Sequence, residues 1–281
     1  MEDIFAYNAI IRRMRAFFQD GKGFVEVPAQ ARQSILAACE DPRTISQYIF
    51  GGVNWPLPQT GQMWLEHELL ANPKVRGVFC VTTSYRNEPN PIEGRHDKIF
   101  PMFEFEAKGG MDDLKKLEAE LSVFLGFEKP KSVDYEELCK NYGVDSLEAE
   151  HEERMWKEIG ESVSLEFFPQ RSHPFWNMKH RGKGMFGKVD VILFGMETIG
   201  SAERSTNVDE MRNNFHTISD GEYAALLFNH FGQKRVEAEL ERYLALTMFP
   251  RFGGGIGVTR MARALKLAGK LEPVAEDVVA H

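Results

Sequence analysis

The stretch FGGGIGVTRMARAL, from Phe252 to Leu265, decides the fold of this chain. Four of its first six residues are glycine, and an arginine follows within an apolar run. Glycine is a poor helix former, so the bare backbone of residues 253–257 suggests that a ligand lies flat against it, although a simple loop would also carry glycines. Arg260 falls in the first turn of the expected helix, where the helix N-terminus and the guanidinium both favour phosphate. The stretch therefore predicts a strand end, a helix start and an anion site together.

Composition limits what the rest of the chain can be. A chain of 281 residues forms one large domain or two small ones, and 43% apolar residues are enough for a sizeable core. No run of 18 apolar residues occurs, and the N-terminus lacks the pattern of a secretory signal. Three cysteines at distant positions fit no metal spacing, which is typical of reduced thiols in a cytoplasmic protein.

The net charge of −8 argues weakly against nucleic acid as a partner, because phosphate binding usually requires a basic surface. One basic cluster does occur between residues 171 and 188, and its glycines also permit a solvated loop. The cluster consists of Arg171, Lys179, His180, Arg181, Lys183 and Lys188.

Periodicity along the chain predicts alternating helices and strands and shows no linker or repeat. We expect one α+β domain over residues 1–281, with antiparallel strands flanked by helices. Helices are predicted over Ile4–Phe18, Trp64–Leu70, Asp112–Phe127 and Gly221–Thr247, the last one broken near Phe231. Strands are predicted over Phe24–Val27, Val75–Tyr85, Ile99–Ala107 and Val189–Gly195, with METIGSAER (196–204) continuing into another.

Two further groups of charged residues carry chemistry. Arg86 and Glu88 stand where one strand enters a long loop, and alternation places Phe100, Met102, Glu104 and Glu106 on one face of the returning strand. A phosphate, a base and an ammonium group could therefore bind there. A surface hairpin with ordinary ion pairs would show the same residues.

Asp190 and Glu197 bracket a second apolar run, and Arg204 follows seven residues later. Two neighbouring carboxylates are costly unless a cation lies between them, and an all-oxygen ligand set suits Mg²⁺. Solvated charges remain the alternative for each residue taken singly.

Together these stretches resemble the class II aminoacyl-tRNA synthetase catalytic core, within it the aspartyl/asparaginyl branch. The second motif of that family has the form F/Y-R-x-E, loop, R-H-x-x-x-F between two strands. Here it is matched by YRNEPNPIEGRHDKIFPMFEFE, Tyr85–Glu106. The glycine-rich third motif, which ends in an arginine, is matched by GGGIGVTR, residues 253–260.

Further segments resemble the family in the same order. LPQTGQMWLE, Leu57–Glu66, is similar to the S-G-Q-L-x-L-E segment of the asparaginyl enzymes, and PFWNMKH, Pro174–His180, has a counterpart there. The run from Asp190 through Glu197 to Arg204 has matching spacing. Ile4–Pro28 is similar to the first motif, a helix and a strand that form the dimer interface.

The resemblance implies a homodimer that binds ATP, Mg²⁺ and an amino acid. It implies that Arg86 and Arg260 are catalytic and that the ATP site comprises Arg86, Glu88, His96, Phe100, Gly255, Gly257 and Arg260. His96 would either act in chemistry or position the hairpin. The implied amino-acid site comprises Thr60, Gln62, Glu66, Glu104, Ser201 and Arg204, with Gln62 and Glu104 on the ammonium and Arg204 on a side-chain oxygen. Asp190 and Glu197 would hold Mg²⁺.

Departures from the family pattern refine the expectation. The catalytic helix begins almost at Met1, so we expect no anticodon-binding domain. Leu65 stands where aspartyl enzymes carry a substrate-binding lysine, and Ile99 and Thr259 replace acidic residues. The third motif looks more like ammonia-dependent asparagine synthetase, which shares the core and lacks the anticodon domain.

Three hypotheses follow. The first is an amide ligase, in which ATP activates aspartate as an adenylate and ammonia attacks it to give asparagine. The second is a paralogue that activates an amino acid and transfers it to a tRNA, a carrier protein or a small molecule. The third is a non-catalytic regulatory or binding protein with a degenerate core.

Overall fold

The computed structural model describes residues 3–29, 34–38, 42–95 and 97–271. In these ranges the strands are β1 (Val25–Glu26), β2 (Gln47–Phe50), β3 (Val53–Pro56), β4 (Gly77–Tyr85), β5 (Ile99–Lys108), β6 (Lys131–Asp134), β7 (Ser162–Pro169), β8 (Met185–Leu193), β9 (Met196–Arg204) and β10 (Arg251–Gly257). The α-helices are α1 (Ile4–Arg15), α2 (Gln62–Ala71), α3 (Met111–Leu125), α4 (Tyr135–Tyr142), α5 (Ala149–Glu158), α6 (Val208–Thr217), α7 (Glu222–Phe231), α8 (Gln233–Leu244) and α9 (Val258–Leu267).

One large sheet forms the centre, with its strands in the order β1-β4-β5-β10-β9-β8-β7-β6. The inner pairs are antiparallel, and the two outermost pairs, β1 with β4 and β6 with β7, are parallel. Strands β2 and β3 form a separate hairpin. The prediction of an α+β fold with a mostly antiparallel sheet flanked by helices is confirmed.

One face of the sheet packs against α1, α3 and α9 in a large apolar core. Phe103 and Phe105 of β5 enter this core, and the Phe18 ring lies 5.0 and 5.1 Å from them between centroids. Phe252 and Ile256 of β10 point into the same core. Each such buried side chain contributes about 2–3 kcal/mol. Because side chains alternate along a strand, the residues between them face the opposite side.

A second core forms where α6, α7 and α8 surround Trp176, which is fully buried. Phe215 meets the Trp176 ring edge to face, with the centroids 5.6 Å apart. The predicted break after Phe231 is confirmed, because Gly232 has a φ of 85° and separates α7 from α8. No helix in the described ranges combines the length and hydropathy that a bilayer crossing requires.

The glycine run forms more than a strand end. Residues 251–257 make a complete strand that pairs with β5 on one side and β9 on the other. The last helix begins directly afterwards at Val258, as predicted. The predicted helix Ile4–Phe18 is α-helical only as far as Arg15, and a π-helical turn follows over Ala16–Gly21.

Candidate active site

The glycine strand is the floor of a polar site on the face opposite the large core. A Cβ on Gly253 would lie 2.0 Å from the carboxyl carbon of Glu106, and one on Gly254 would lie 2.6 Å from Ser201 Cβ. Bare backbone is therefore required at these two positions by the protein's own side chains. At Gly257 the nearest atom would be 3.6 Å away, on Arg260, so this end of the strand is open.

The loop before α2 and the middle of β5 make one wall of the site. Glu104 is fully buried, the Thr60 hydroxyl donates to its Oε1, and the Gly61 N–H donates to its Oε2 at 2.6 Å. A Cβ on Gly255 would lie 3.6 Å from Glu104 Cγ and 3.7 Å from Gln62 Nε2. Gln62 and Glu104 therefore converge above Gly255, as their predicted role on an ammonium group requires.

Arg204 lies at the end of β9 and closes this side of the site. It is 1% exposed, and its Nε and Nη2 donate to Glu106 Oε1 at 3.1 and 2.5 Å. Nη2 also donates to Gln62 Oε1 at 3.2 Å. Burial raises the pKa of Glu106 to about 8, although Arg204 opposes the shift. The other oxygen of Glu106 has no hydrogen-bond partner among the described residues and is therefore available to a ligand.

Glu66 is the centre of a buried network behind Arg204. Its Oε2 accepts two hydrogen bonds from Arg251, at 2.9 and 2.7 Å, and one from the Tyr243 hydroxyl at 2.5 Å. Its Oε1 accepts from Asn177 Nδ2 at 2.5 Å and lies 3.7 Å from Arg204 Nε. Burial would raise the pKa of Glu66, but the two guanidinium groups hold it below its usual value. All the contacts described for Glu66 are thus with other side chains of the protein, and Glu66 holds Arg204 in place.

The opposite end of the floor gathers the residues expected to bind nucleotide. Arg86 follows β4, and its guanidinium carbon lies 5.6 Å from the centroid of the Phe100 ring. Arg260, in the first turn of α9, donates to the Glu197 carbonyl at 2.8 Å and lies 3.6 Å from Glu197 Oε2. Glu88 lies two residues after Arg86 in a tight turn, in which the Glu88 N–H donates to the Arg86 carbonyl at 2.8 Å. Arg86 and Arg260 both lie near Glu197 and oppose the effect of burial on its pKa. Predicted nucleotide residues from three separate segments thus lie close together.

Asp190 and Glu197 lie side by side across Gly200. A Cβ on Gly200 would be 2.8 Å from Glu197 Oε1 and 3.6 Å from Asp190 Oδ1, so both carboxylates border the space above its backbone. Asp190 Oδ1 is buried and has no hydrogen-bond partner among the described residues, whereas Lys188 Nζ lies 2.8 Å from Oδ2. Burial raises the pKa of Asp190 to about 7. Burial alone would raise the pKa of Glu197, but the nearby Lys188 and Arg260 hold this pKa below its usual value.

These two carboxylates fit a magnesium ion. Mg²⁺ is commonly held by one or two carboxylates and completes its octahedron with waters and substrate phosphates. A group of three or more acidic, histidine or cysteine ligands does not occur in the described part of the chain, so phosphate oxygens would have to supply the rest.

Ser201 lies on the other face of the sheet, because it pairs with Gly254 and its hydroxyl donates to Glu118 of α3 at 2.6 Å. The prediction of Ser201 as an amino-acid ligand is therefore wrong, and strand alternation is the reason. His96 lies outside the described residues.

The sequence interpretation missed several residues of the site. Glu106 shares a face with Glu104, as alternation predicts, but the sequence indicates no role for it. Arg251 lies two residues before the glycine run, but only its distant partner, Glu66, identifies its role. Glu152 of α5 gave no signal, yet it accepts the Glu197 N–H at 2.7 Å and pairs with Arg95 at 2.6 Å.

The basic cluster is largely neutralised in the structure. Lys179 and Arg181 both pair with Glu203, at 2.7 and 2.8 Å. Arg171 pairs with Glu136, and Lys188 pairs with Asp190. Four of the six basic residues thus have carboxylate partners and do not form a free cationic patch.

Comparison with known proteins identifies the family of the chain. A family model of the class II tRNA synthetases (D, K and N) matches residues 1–274. The chain belongs to this family. No curated protein matches it in sequence.

Solved structures of synthetases share the fold. Asparaginyl-tRNA synthetase from Pyrococcus horikoshii, complexed with asparaginyl-adenylate, superposes with a TM-score of 0.77 at 20% identity, over 93% of this chain and 64% of that one. The Entamoeba histolytica asparaginyl enzyme, also complexed with asparaginyl-adenylate, gives 0.71 at 18% identity, over 92% and 62%. Aspartyl-tRNA synthetase from Entamoeba histolytica gives 0.65 at 18% identity, over 92% and 54%. The chain thus spans less than two thirds of each of these proteins.

Proposed function

We propose that this protein uses ATP to activate an amino acid as an acyl adenylate. The observation that carries the proposal is the arrangement of two complementary ends along one glycine floor. Arg86, Phe100 and Arg260 stand at one end, and Gln62, Glu104 and Arg204 stand at the other, so a carboxylate held between them faces a bound α-phosphate. The same arrangement counts against a non-catalytic binding protein, in which these groups would have no reason to converge.

The residues of this chain divide the work of an in-line displacement. A substrate carboxylate oxygen attacks the α-phosphorus, and the bond from phosphorus to the pyrophosphate oxygen breaks. Arg86 holds the α-phosphate, Phe100 and Arg260 enclose the adenine, and Arg260 also lies near the terminal phosphate. Fixed cations aimed at the developing charge lower the barrier without reorganising water. Mg²⁺, held by Asp190 and Glu197 when bound, supplies further neutralisation of the phosphates.

We infer that the amino acid is aspartate and that ammonia is the acceptor. Asparagine differs from aspartate only at the side chain, so an amide ligase must adenylate the β-carboxylate. Ammonia then attacks the β-carbonyl carbon, AMP leaves, and the nitrogen loses a proton. Arg204 would grip the α-carboxylate in this orientation. Neutralisation of the basic cluster supports a small acceptor over a polyanionic one.

Transfer to tRNA is the second candidate, because the structural neighbours include asparaginyl enzymes complexed with asparaginyl-adenylate. That reaction would adenylate the α-carboxylate and place the side-chain oxygen at Arg204. Homodimer formation, a cytoplasmic location and single-domain organisation stay predictions.

Amino-acid-dependent exchange between ATP and labelled pyrophosphate tests the proposal across the twenty amino acids. Exchange with none of them would refute adenylate formation. Trapping with hydroxylamine then identifies the activated carboxyl group by mass spectrometry. We expect aspartate β-hydroxamate, and asparagine when ammonium replaces hydroxylamine. An α-hydroxamate, or exchange without an amide product, would refute the amide ligase and favour an aminoacyl-transferring enzyme.

A further inference from the structure

Lys188 lies on β8 two residues before Asp190, so both side chains leave the same face of the sheet. Its Nζ is 2.8 Å from Asp190 Oδ2 and 4.0 Å from the centroid of the Phe168 ring. An ammonium group held between a carboxylate and an aromatic face is favourably fixed. Lys188 therefore engages one of the two Asp190 oxygens, and only Oδ1 is left without a hydrogen-bond partner in the described part of the chain.

The carboxylates around this point all have cationic neighbours. Lys188 pairs with Asp190, and Arg260 lies 3.6 Å from Glu197 Oε2. Glu152, which accepts the Glu197 N–H, pairs with Arg95 at 2.6 Å. A lone divalent ion bound to Asp190 Oδ1 would share this carboxylate with the Lys188 ammonium group, and the two positive charges would repel each other. A divalent ion that arrives with a polyphosphate brings negative charge that offsets this repulsion and that can also pair with the ammonium group.

We propose that Lys188 is a positioning residue that competes with the divalent cation for Asp190, so that the metal enters this site as its ATP complex rather than alone. The inference rests on the proposed function, because it takes Asp190 and Glu197 as the metal-binding pair. The ammonium group thus acts as a resident counter-ion, keeping Asp190 in place before substrate arrives and moving to the polyphosphate afterwards.

Equilibrium dialysis of Mn²⁺ against the whole protein, with the nucleotide analogue absent or at the same concentration on both sides, tests this directly, because only protein-bound ion is in excess on the protein side. Without nucleotide, Lys188→Met should bind Mn²⁺ about tenfold more tightly than the wild type, because a neighbouring positive charge is removed. With a non-hydrolysable ATP analogue present, the same variant should bind Mn²⁺ more weakly than the wild type. Lys188→Arg should keep the wild-type order, because it keeps the charge.

Lys179→Met is the matched control, since Lys179 also pairs with a buried carboxylate, Glu203, at 2.7 Å. It should leave both Mn²⁺ affinities unchanged. Lys188→Gln repeats the measurement if the methionine variant does not fold. If Lys188 only supported the local structure, its removal would weaken Mn²⁺ binding both without and with the nucleotide analogue. Tighter binding without the analogue and weaker binding with it therefore identify competition. Equal or weaker binding of free Mn²⁺ by Lys188→Met and Lys188→Gln than by the wild type would overturn the proposal. Pyrophosphate exchange by the wild type reports separately on the proposed function.

Discussion

Single glycine-to-alanine substitutions along β10 should lower the free energy of unfolding at one position and weaken amino-acid binding at another. In Gly253→Ala, the new methyl group would lie 2.0–2.4 Å from the carboxyl atoms of Glu106, well inside van der Waals contact. The carboxyl group must move, and it would lose the hydrogen bonds from Arg204 at 3.1 and 2.5 Å. Overpacking costs about 1–3 kcal/mol and loss of a charged hydrogen bond about 1.5–3 kcal/mol. We therefore expect the free energy of unfolding to fall by roughly 3–5 kcal/mol.

Gly255→Ala is the matched variant on the same strand and the same face. Its methyl group would meet Met102 Cε at 2.7 Å, the end of a flexible side chain that can move aside. The expected loss of stability is below about 1 kcal/mol. The methyl group would, however, stand between Gln62 and Glu104, and we expect the KM for the amino acid to rise by about tenfold.

Urea denaturation and pyrophosphate exchange measure the two effects separately. Gly253→Ala should unfold at a lower urea concentration with an unchanged slope, and Gly255→Ala should unfold close to the wild type while losing amino-acid affinity. The reverse order of stabilities, or a stable Gly253→Ala variant, would refute the account of why this backbone is bare.

Three further predictions concern charged residues. Arg260→Ala should abolish adenylate formation and leave the melting temperature unchanged, because the side chain is part-exposed and faces the site; exchange near the wild-type rate would contradict its role on nucleotide. Glu66→Gln should lower the free energy of unfolding by about 3–5 kcal/mol, because it leaves two buried guanidinium groups short of a counter-charge; denaturation with urea measures this, and a loss below about 1 kcal/mol would count against the buried network. Burial raises the pKa of Glu118 from 4.5 to about 8, so the folded chain keeps a proton that the unfolded chain releases. The stability contributed by this proton is therefore complete below pH 4.5 and is lost as the pH rises to about 8, at up to about 1.4 kcal/mol per pH unit. Glu118→Gln should remove this contribution to the pH dependence of the free energy of unfolding. Equal pH dependence of the variant and the wild type in denaturation from pH 5 to 8 would contradict the prediction.

The sequence predicted the long elements well because their apolar residues follow a single period. The helices at the N-terminus and after β5 and the four strands around the site all carry such patterns. It did not predict β6, β7 and α4–α6. Along β7, Ser164 and Glu166 alternate with apolar residues but are buried, because the Ser132 and Ser164 hydroxyls and Lys115 bind the Glu166 carboxylate. The alternation along β7 is itself a strand pattern that the sequence interpretation did not use, whereas the burial of its polar face depends on partners from other segments.

The candidate site was predictable where a local motif contains it and not where distant residues complete it. Arg86, Phe100 and Arg260 stand in recognisable patterns. Glu106 and Arg204 are 98 positions apart, and Glu66 and Arg251 are 185 apart. Sequence spacing carries no information about such pairs, because only the order of strands in the sheet brings them together.

The position of β10 has a consequence for how the protein is made. This strand is the last of the described strands along the chain, yet it lies in the middle of the sheet, between β5 and β9. During synthesis, the half that contains β1, β4 and β5 and the half that contains β6 to β9 have no strand to join them until residues 251–257 leave the ribosome. Both halves expose an open sheet edge in the meantime, and pairing across such sequence distances is slow. The nascent chain therefore needs its glycine strand to join the two halves of the sheet. A ribosome that pauses before residue 251 would hold two halves with exposed strand edges, to which chaperones would have to bind.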